Sequence, residues 1–241
     1  MRILLIGEYS NVHATLADGL RELGHEVTVI SNGDFWKGYK RDIDVTRKPG
    51  PMGGLLFMAK LYFLLPRMRN YDVVQLINPV FLELKAERIW PFYQTLRRHN
   101  GSLFMGAFGM DHYWAKAGCD CRTFRYSDFN LGTQLRHTPD TDLFKAEWLT
   151  GPKGELNRRI AHDCDGIVCG LYEYYASYMA HFDTKEKLTH IPFPIIIELH
   201  TADERTPKPI RFFIGIQRSR SAYKGTDIML AALEKLHSRY P

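Results

Sequence analysis

The stretch MRILLIGEYSNVHATLADGLRELGHEVTVIS, residues 1–31, reads as strand, helix, strand. MRILLIG (1–7) is apolar without alternation, the mark of a strand buried on both faces. NVHATLADGLRELG (11–24) places Val12, Leu16, Leu20 and Leu23 on one helical stripe, and Gly24 supplies a C-terminal cap. HEVTVIS (25–31) is a second short apolar run. Strand, helix and strand within about thirty residues make a βαβ unit, whose strands pair in parallel through a right-handed crossover.

The same alternation recurs downstream. GGLLFMAKLYFLLPRMR (53–69) is a helix that Pro66 should end or kink, and YDVVQLI (71–77) is a strand stopped by Asn78-Pro79. ELKAERIWPFYQTLRRH (83–99) reads as a helix interrupted or restarted at Pro91, followed by the strand SLFMGAF (102–108). Helix 153–164, strand 166–170, helix 171–182 and strand 187–192 complete the series. Strands alternating with helices predict an α/β fold with a doubly wound parallel sheet. Residues 109–150 have no sustained period and are expected to form a long loop with one short helix near 143–149. The prolines at 192, 194, 207 and 209 mark a linker. The expected organisation is a Rossmann-like domain at 1–195, a linker at 196–209, and the first strand and helix of a second, incomplete α/β domain at 210–241.

Composition narrows the class. A 241-residue chain with 45% hydrophobic residues can bury a sizeable core. No apolar run is long enough to span a bilayer, and the N-terminus lacks a signal-peptide pattern, so a cytoplasmic location is expected. Four cysteines in such a chain do not suggest a disulfide framework. Cys119-Asp120-Cys121 has no second ligand pair at zinc spacing, and the aspartates of Asp163-Cys164-Asp165 suit a turn, so no metal is expected. The net charge of +5 falls on scattered basic pairs rather than a dense stripe, and no nucleic-acid module is recognisable. The basic, apolar segment around Lys60–Arg69 admits peripheral contact with an anionic membrane, against the reading of a helix facing the core. An uncovered apolar edge around 210–236 admits a homodimer.

In an open parallel sheet, ligands bind beyond the carboxyl ends of the strands, at the switch point. GEYSNVH (7–13) lacks the G-x-G-x-x-G of dinucleotide folds, which disfavours an oxidoreductase. Ser10, Asn11 and His13 are candidates to face the cleft, although Ser10 or Asn11 would serve equally as a helix cap. After the fourth predicted strand, Asp111 suits a sugar hydroxyl and His112 a base, with a turn aspartate and a hydrogen-bonded structural histidine as the plain alternatives. FFIGIQRSRSAYKG (212–225) reads as a strand, a loop with arginines, and Lys224-Gly225 opening a helix. Arg218 and Lys224 there suit a diphosphate held at a helix start, with Gly225 beside it.

These residues resemble a family. FFIGIQRSRSAYKGTDIMLAAL is similar to the start of the nucleotide-sugar domain of GT-B glycosyltransferases, specifically the retaining family four. The opening 31 residues and AHDCDGIVCGLYEYYASYM…KLTHIPFP resemble its N-terminal domain. The resemblance implies that Arg218 and Lys224 grip the donor diphosphate, that Ser10 and Asn11 lie near the donor phosphate and acceptor, and that no metal is needed. It departs from the family where Phe108 replaces the usual histidine of His-Gly-x-Asp, and where Phe193-Pro194 replaces an Asn-Gly turn. The family's second acidic motif would lie beyond residue 241, so the chain is expected to be a fragment. The implied function is transfer of a sugar, with retention, from a nucleotide-diphosphate-sugar to the hydroxyl of a glycan, lipid-linked or small-molecule acceptor. A non-catalytic α/β module that binds a glycan or a protein is the alternative.

Overall fold

A computed structural model of the protein describes residues 1–197, 212–216 and 225–240. Seven parallel strands form one sheet: β1 (Arg2–Ile6), β2 (Glu26–Ser31), β3 (Ile43–Asp44), β4 (Val73–Leu76), β5 (Ser102–Ala107), β8 (Gly166–Cys169) and β9 (Leu188–His190). The spatial order is β3-β2-β1-β4-β5-β8-β9. The chain winds outward from β1 in one direction, returns, and winds outward from β4 in the other. This is the doubly wound, Rossmann-like α/β fold, with its switch point between β1 and β4.

The unbroken apolar character of β1 has a direct structural cause. Leu4 and Ile6 point into the larger core, with Phe57 and Leu61 of α2 (Gly50–Leu64) and Ile89 and Leu96 of α3 (Ala86–His99). Ile3 and Leu5 point the other way, against Ala17, Leu16 and Leu20 of α1 (Val12–Glu22). Alternate side chains of a strand face opposite sides, so helices on both faces require apolar residues at every position.

Three details differ from the sequence reading. Pro91 does not interrupt α3, which runs unbroken through it; the proline side chain is exposed, and the helix tolerates one lost backbone hydrogen bond and the ring's crowding of the Glu87 carbonyl. Leu23 of the expected α1 stripe is 74% exposed, and the small residues Ala14 and Ala17 make the close contact with the sheet instead. Residues 109–150 are not mainly loop. They hold α4 (His112–Cys119), a two-stranded hairpin of β6 (Asn130–Leu131) and β7 (Gln134–Leu135), and α5 (Pro139–Lys145), which continues as a π-helical turn at Ala146–Thr150. Ala115, Phe129 and Trp148 give this insertion a small core of its own. The elements are short, and their apolar residues are spent on that local core, so no long period marks them in the sequence.

Two further helices, α6 (Pro152–Asp163) and α7 (Tyr172–His181), pack in the second half. Asp163 and Asp165 at the end of α6 have structural partners. Tyr93 donates to Asp163 at 2.7 Å, and Arg97 grips Asp165 with two 2.7 Å bonds while the Leu103 amide donates to the same carboxylate. All four cysteines are free thiols, and burial pushes Cys164 and Cys169 up to about 12. Helix α8 (Thr226–Arg239) follows Gly225, whose φ of 66° places it in the left-handed region at the N-cap. Residues 198–209 of the expected linker and 217–224 of the expected donor loop lie outside the described residues, and residues 212–216, read from the sequence as a strand, belong to no strand of the structure.

Candidate functional site

A cleft of about 810 Å³ opens beyond the carboxyl ends of β1, β2, β4 and β5, at the switch point. Tyr9 and Ser10 line it from β1, Asp34–Lys37 from β2, Asn78 and Val80 from β4, and Phe108–Met110 from β5. The insertion supplies the facing wall through Phe144, Glu147 and Trp148, joined by Lys153 from the first turn of α6 and by Ile216. The π-helical turn is what brings Glu147 and Trp148 to this wall, and such turns recur at functional sites.

The floor carries the most informative atom. Asn78 is 6% exposed, and its side-chain amide donates to the Tyr9 hydroxyl at 3.0 Å. Its Oδ1 is the one buried side-chain oxygen or nitrogen without a partner among the described residues. If the amide is turned over, its nitrogen is left unpaired instead. A buried polar atom without a partner costs about 1–3 kcal/mol, and a ligand hydroxyl in the cleft would recover it.

The loops at the rim are held in costly conformations. Ser10, Asn11, Asp34 and Phe35 all have positive φ, at 52°, 68°, 57° and 59°. Asparagine and aspartate tolerate this region; serine and phenylalanine do so at roughly 1–2 kcal/mol each. Asp34 ties the two loops together. Its carboxylate accepts from the Ser10 amide at 2.9 Å and from Lys37 Nζ at 2.6 Å, and that bond raises the lysine pKa. Phe35 and Trp36 stand at the mouth, with Trp36 90% exposed. Across the cleft, Lys153 pairs with Glu147 at 2.7 Å and lies over the Trp148 ring. The lining is thus aromatic and neutral at the floor, with one lysine–carboxylate pair on each wall.

The residues singled out from the sequence fall into three groups. Ser10 lines the cleft, and Asn11 follows it as the left-handed residue that begins α1, its amide donating to Thr15. His13, Asp111 and His112 are turned into the protein. His13 is fully buried, with Nδ1 at 2.8 Å from the Gly7 carbonyl, and burial pushes its pKa down to about 4. Asp111 is 1% exposed, caps α4 by accepting from the Trp114 amide at 2.8 Å, and accepts from the Tyr178 hydroxyl at 2.8 Å; burial pushes its pKa up to about 6. His112 donates Nδ1–H to the Trp148 carbonyl at 2.8 Å, its amide donates to Asn157, and burial lowers its pKa. In this structure Asp111 caps α4 and His112 is hydrogen-bonded within the protein. Arg218 and Lys224 lie outside the described residues, and Gly225 caps α8.

The start of α1 is also occupied from within. The Glu8 carboxylate is buried and accepts from the His13 and Ala14 amides, at 3.3 and 2.8 Å. Burial raises its pKa against the pull of those bonds. The free amides of a helix start attract an anion, and here the chain's own carboxylate fills that place.

Tyr9, Asp34, Lys37, Asn78, Glu147, Trp148 and Lys153 were not singled out by sequence reasoning, although the loop after β1 that holds Tyr9 was. Asn78 had a readable signal: it is the first polar residue after an apolar strand, at the switch point. Glu147 and Trp148 reach the cleft through a tertiary insertion and Lys153 from the first turn of α6, and neither leaves a local pattern. No family model matches the chain, and no curated protein matches it. Among the described residues, no group of three or more His, Cys, Asp or Glu side chains is placed to hold a metal ion.

Proposed function

We propose that the protein is a glycosyltransferase, that the cleft at the switch point receives the hydroxyl acceptor, and that a nucleotide-diphosphate-sugar is the donor. The supporting observation is Asn78 Oδ1, a buried acceptor without a partner beside the Tyr9 hydroxyl. Neutral hydrogen-bonding groups on a floor edged by Phe108 and Trp148 suit a polyhydroxyl ring better than a compact anion. The filled helix start at Glu8 argues the same way, because it leaves no anion seat on α1. Donor diphosphate binding then rests on Arg218 and Lys224. In the transition state, negative charge grows on the departing phosphate, and those two cations would stabilise it without a metal. Asp111 and His112 take no direct part in this scheme: they hold α4 and the insertion that walls the cleft.

The test is release of nucleoside diphosphate from a panel of uridine- and guanosine-diphosphate sugars, with candidate sugar acceptors present. The expected result is turnover of one donor, reduced about 10²–10³-fold by Lys224→Ala, with Asn78→Ala raising KM for the acceptor. Because the 241-residue chain is expected to be inactive alone, the assay uses the protein extended past residue 241; undiminished turnover there in Lys224→Ala would remove that lysine's assignment, and no turnover with any donor would remove the enzyme reading.

The second reading, a non-catalytic glycan-binding module, is favoured by the inward engagement of Asp111 and His112. Sugar binding that is lost in Asn78→Ala, without nucleotide release, would establish it.

A further inference from the structure

Helix α2 carries apolar residues on its outer side as well as its inner one, with Lys60 its one charged residue, and one core-facing stripe does not explain that. Gly53, Phe57, Leu61 and Leu64 point into the core. The opposite side presents Met52, Leu55, Leu56 and Phe63 to solvent, with Leu55 65% and Phe63 83% exposed. Tyr62, at the margin, leans on Phe92 of α3 with ring centroids 5.4 Å apart. A helix whose outer face is as apolar as its inner one is adapted to a second apolar phase.

The charge distribution says which phase. Residues 45–71 contain five basic side chains, Arg47, Lys48, Lys60, Arg67 and Arg69, and no Asp or Glu. The net charge of the whole chain is +5, so outside this segment basic and acidic residues balance. All five basic residues are exposed. Lys60 has a distant partner, Asp44, at 3.9 Å. Arg47 and Lys48 stand before the helix and Arg67 and Arg69 after it, so the charges bracket an apolar face roughly 22 Å long at 1.5 Å per residue. A single small anion cannot satisfy charges spread over that length. A nucleic-acid backbone would meet the charges but offers nothing to Leu55 and Phe63. An anionic bilayer surface offers both, with headgroups for the basic rim and acyl chains for the apolar stripe.

We propose that the outer face of α2 docks the protein on an anionic membrane surface, with Leu55, Leu56 and Phe63 entering the acyl boundary and the flanking arginines and lysines meeting the headgroups. The inference stands on this face alone and is independent of the sugar-transfer reading. No helix among the described residues is long and apolar enough to cross a membrane, so the contact is interfacial.

The experiment is co-sedimentation of the 241-residue chain with vesicles of phosphatidylcholine alone or with 30% phosphatidylglycerol. The expected result is pelleting with the anionic vesicles only, lost in 0.5 M salt. Lys48→Glu/Arg67→Glu/Arg69→Glu should weaken partitioning at least tenfold, and so should Leu55→Ser/Leu56→Ser/Phe63→Ser. Both sets lie on exposed positions, and circular dichroism checks that the variants fold. Failure of the wild-type chain to pellet would overturn the proposal. So would retention of full binding by both variants, or sedimentation-velocity evidence that this face pairs two copies while vesicles are ignored.

Discussion

Asp111 and His13 are both buried and titratable, and burial moves them in opposite directions. Asp111 has a folded pKa near 6 against an ordinary 3.8. Its contribution to stability is complete below the unfolded value and is lost as pH rises through 6. His13 has a folded pKa near 4 against an ordinary 6.5. Its contribution is complete above 6.5 and is lost as pH falls through 4. Each shift of about two units corresponds to about 3 kcal/mol. Between pH 4 and 6.5 the two therefore oppose one another, and the wild-type chain shows little net slope from this pair. Asp111→Asn, which keeps an oxygen to cap α4, should become about 3 kcal/mol more stable between pH 4 and 6.5, measured against wild type by urea unfolding at each pH. His13→Asn should lose a similar amount over the same range. Two variants that track the wild-type pH profile would show that neither group is buried as described.

At the scale of elements, Pro91 is the local defect with a predictable remedy. Helix α3 passes through it without the amide that would bond to the Glu87 carbonyl, and the proline side chain is exposed. Pro91→Ala restores the amide and removes the ring clash, against some gain in unfolded-chain entropy. Thermal unfolding should show a stabilisation of about 1–2 kcal/mol. A lower melting temperature would mean that the ring sets the entry of α3 into the sheet. The same helix shows why the sheet was readable from sequence and some elements were not. Apolar runs such as those of β1 and β5 are dictated by burial on both faces, and they stand out. Proline at 91 is a strong breaker signal, overridden because Ile89, Phe92, Tyr93 and Leu96 bury the helix on both sides of it. The two-residue strand β3 is too short to carry any period. Within the cleft, Ser10 was legible because it lies in the short loop that joins β1 to α1. Asp34 and Trp148 were not, since a salt-bridged loop and a π-helical turn have no spacing rule. Asp111 carried two meanings at the sequence level, sugar contact and turn; its bonds to Trp114 and Tyr178 add a third, the cap of α4, which depends on tertiary packing that no spacing shows.

For the whole molecule, the question is what the fold depends on. Every buried apolar residue among those described lies between Ile3 and Phe182. The sheet closes at β9, and Phe193 just beyond it packs edge-on against Phe108 at 5.3 Å. Helix α8, in contrast, leaves Ile228, Met229, Leu230 and Leu236 exposed. Beyond residue 197 the described apolar residues are exposed or at most half-buried; apolar burial is the dominant favourable term in folding, so this region adds little to the stability of the rest. A chain of residues 1–197 should therefore unfold cooperatively in urea, with a midpoint close to that of the 241-residue chain, because it retains both sheet cores and every described lining residue of the cleft except Ile216. Its urea slope should fall only slightly, since that slope follows the surface exposed on unfolding. A shortened chain that is molten, with far-UV signal but no cooperative transition, would show that residues after 197 cover part of the core. The outer face of α2 is the obvious place for such a cover. Vesicle binding by the shortened chain then separates the two cases: a membrane-docking face keeps its salt-sensitive partitioning when the tail is removed, whereas a face shielded by the tail begins to aggregate.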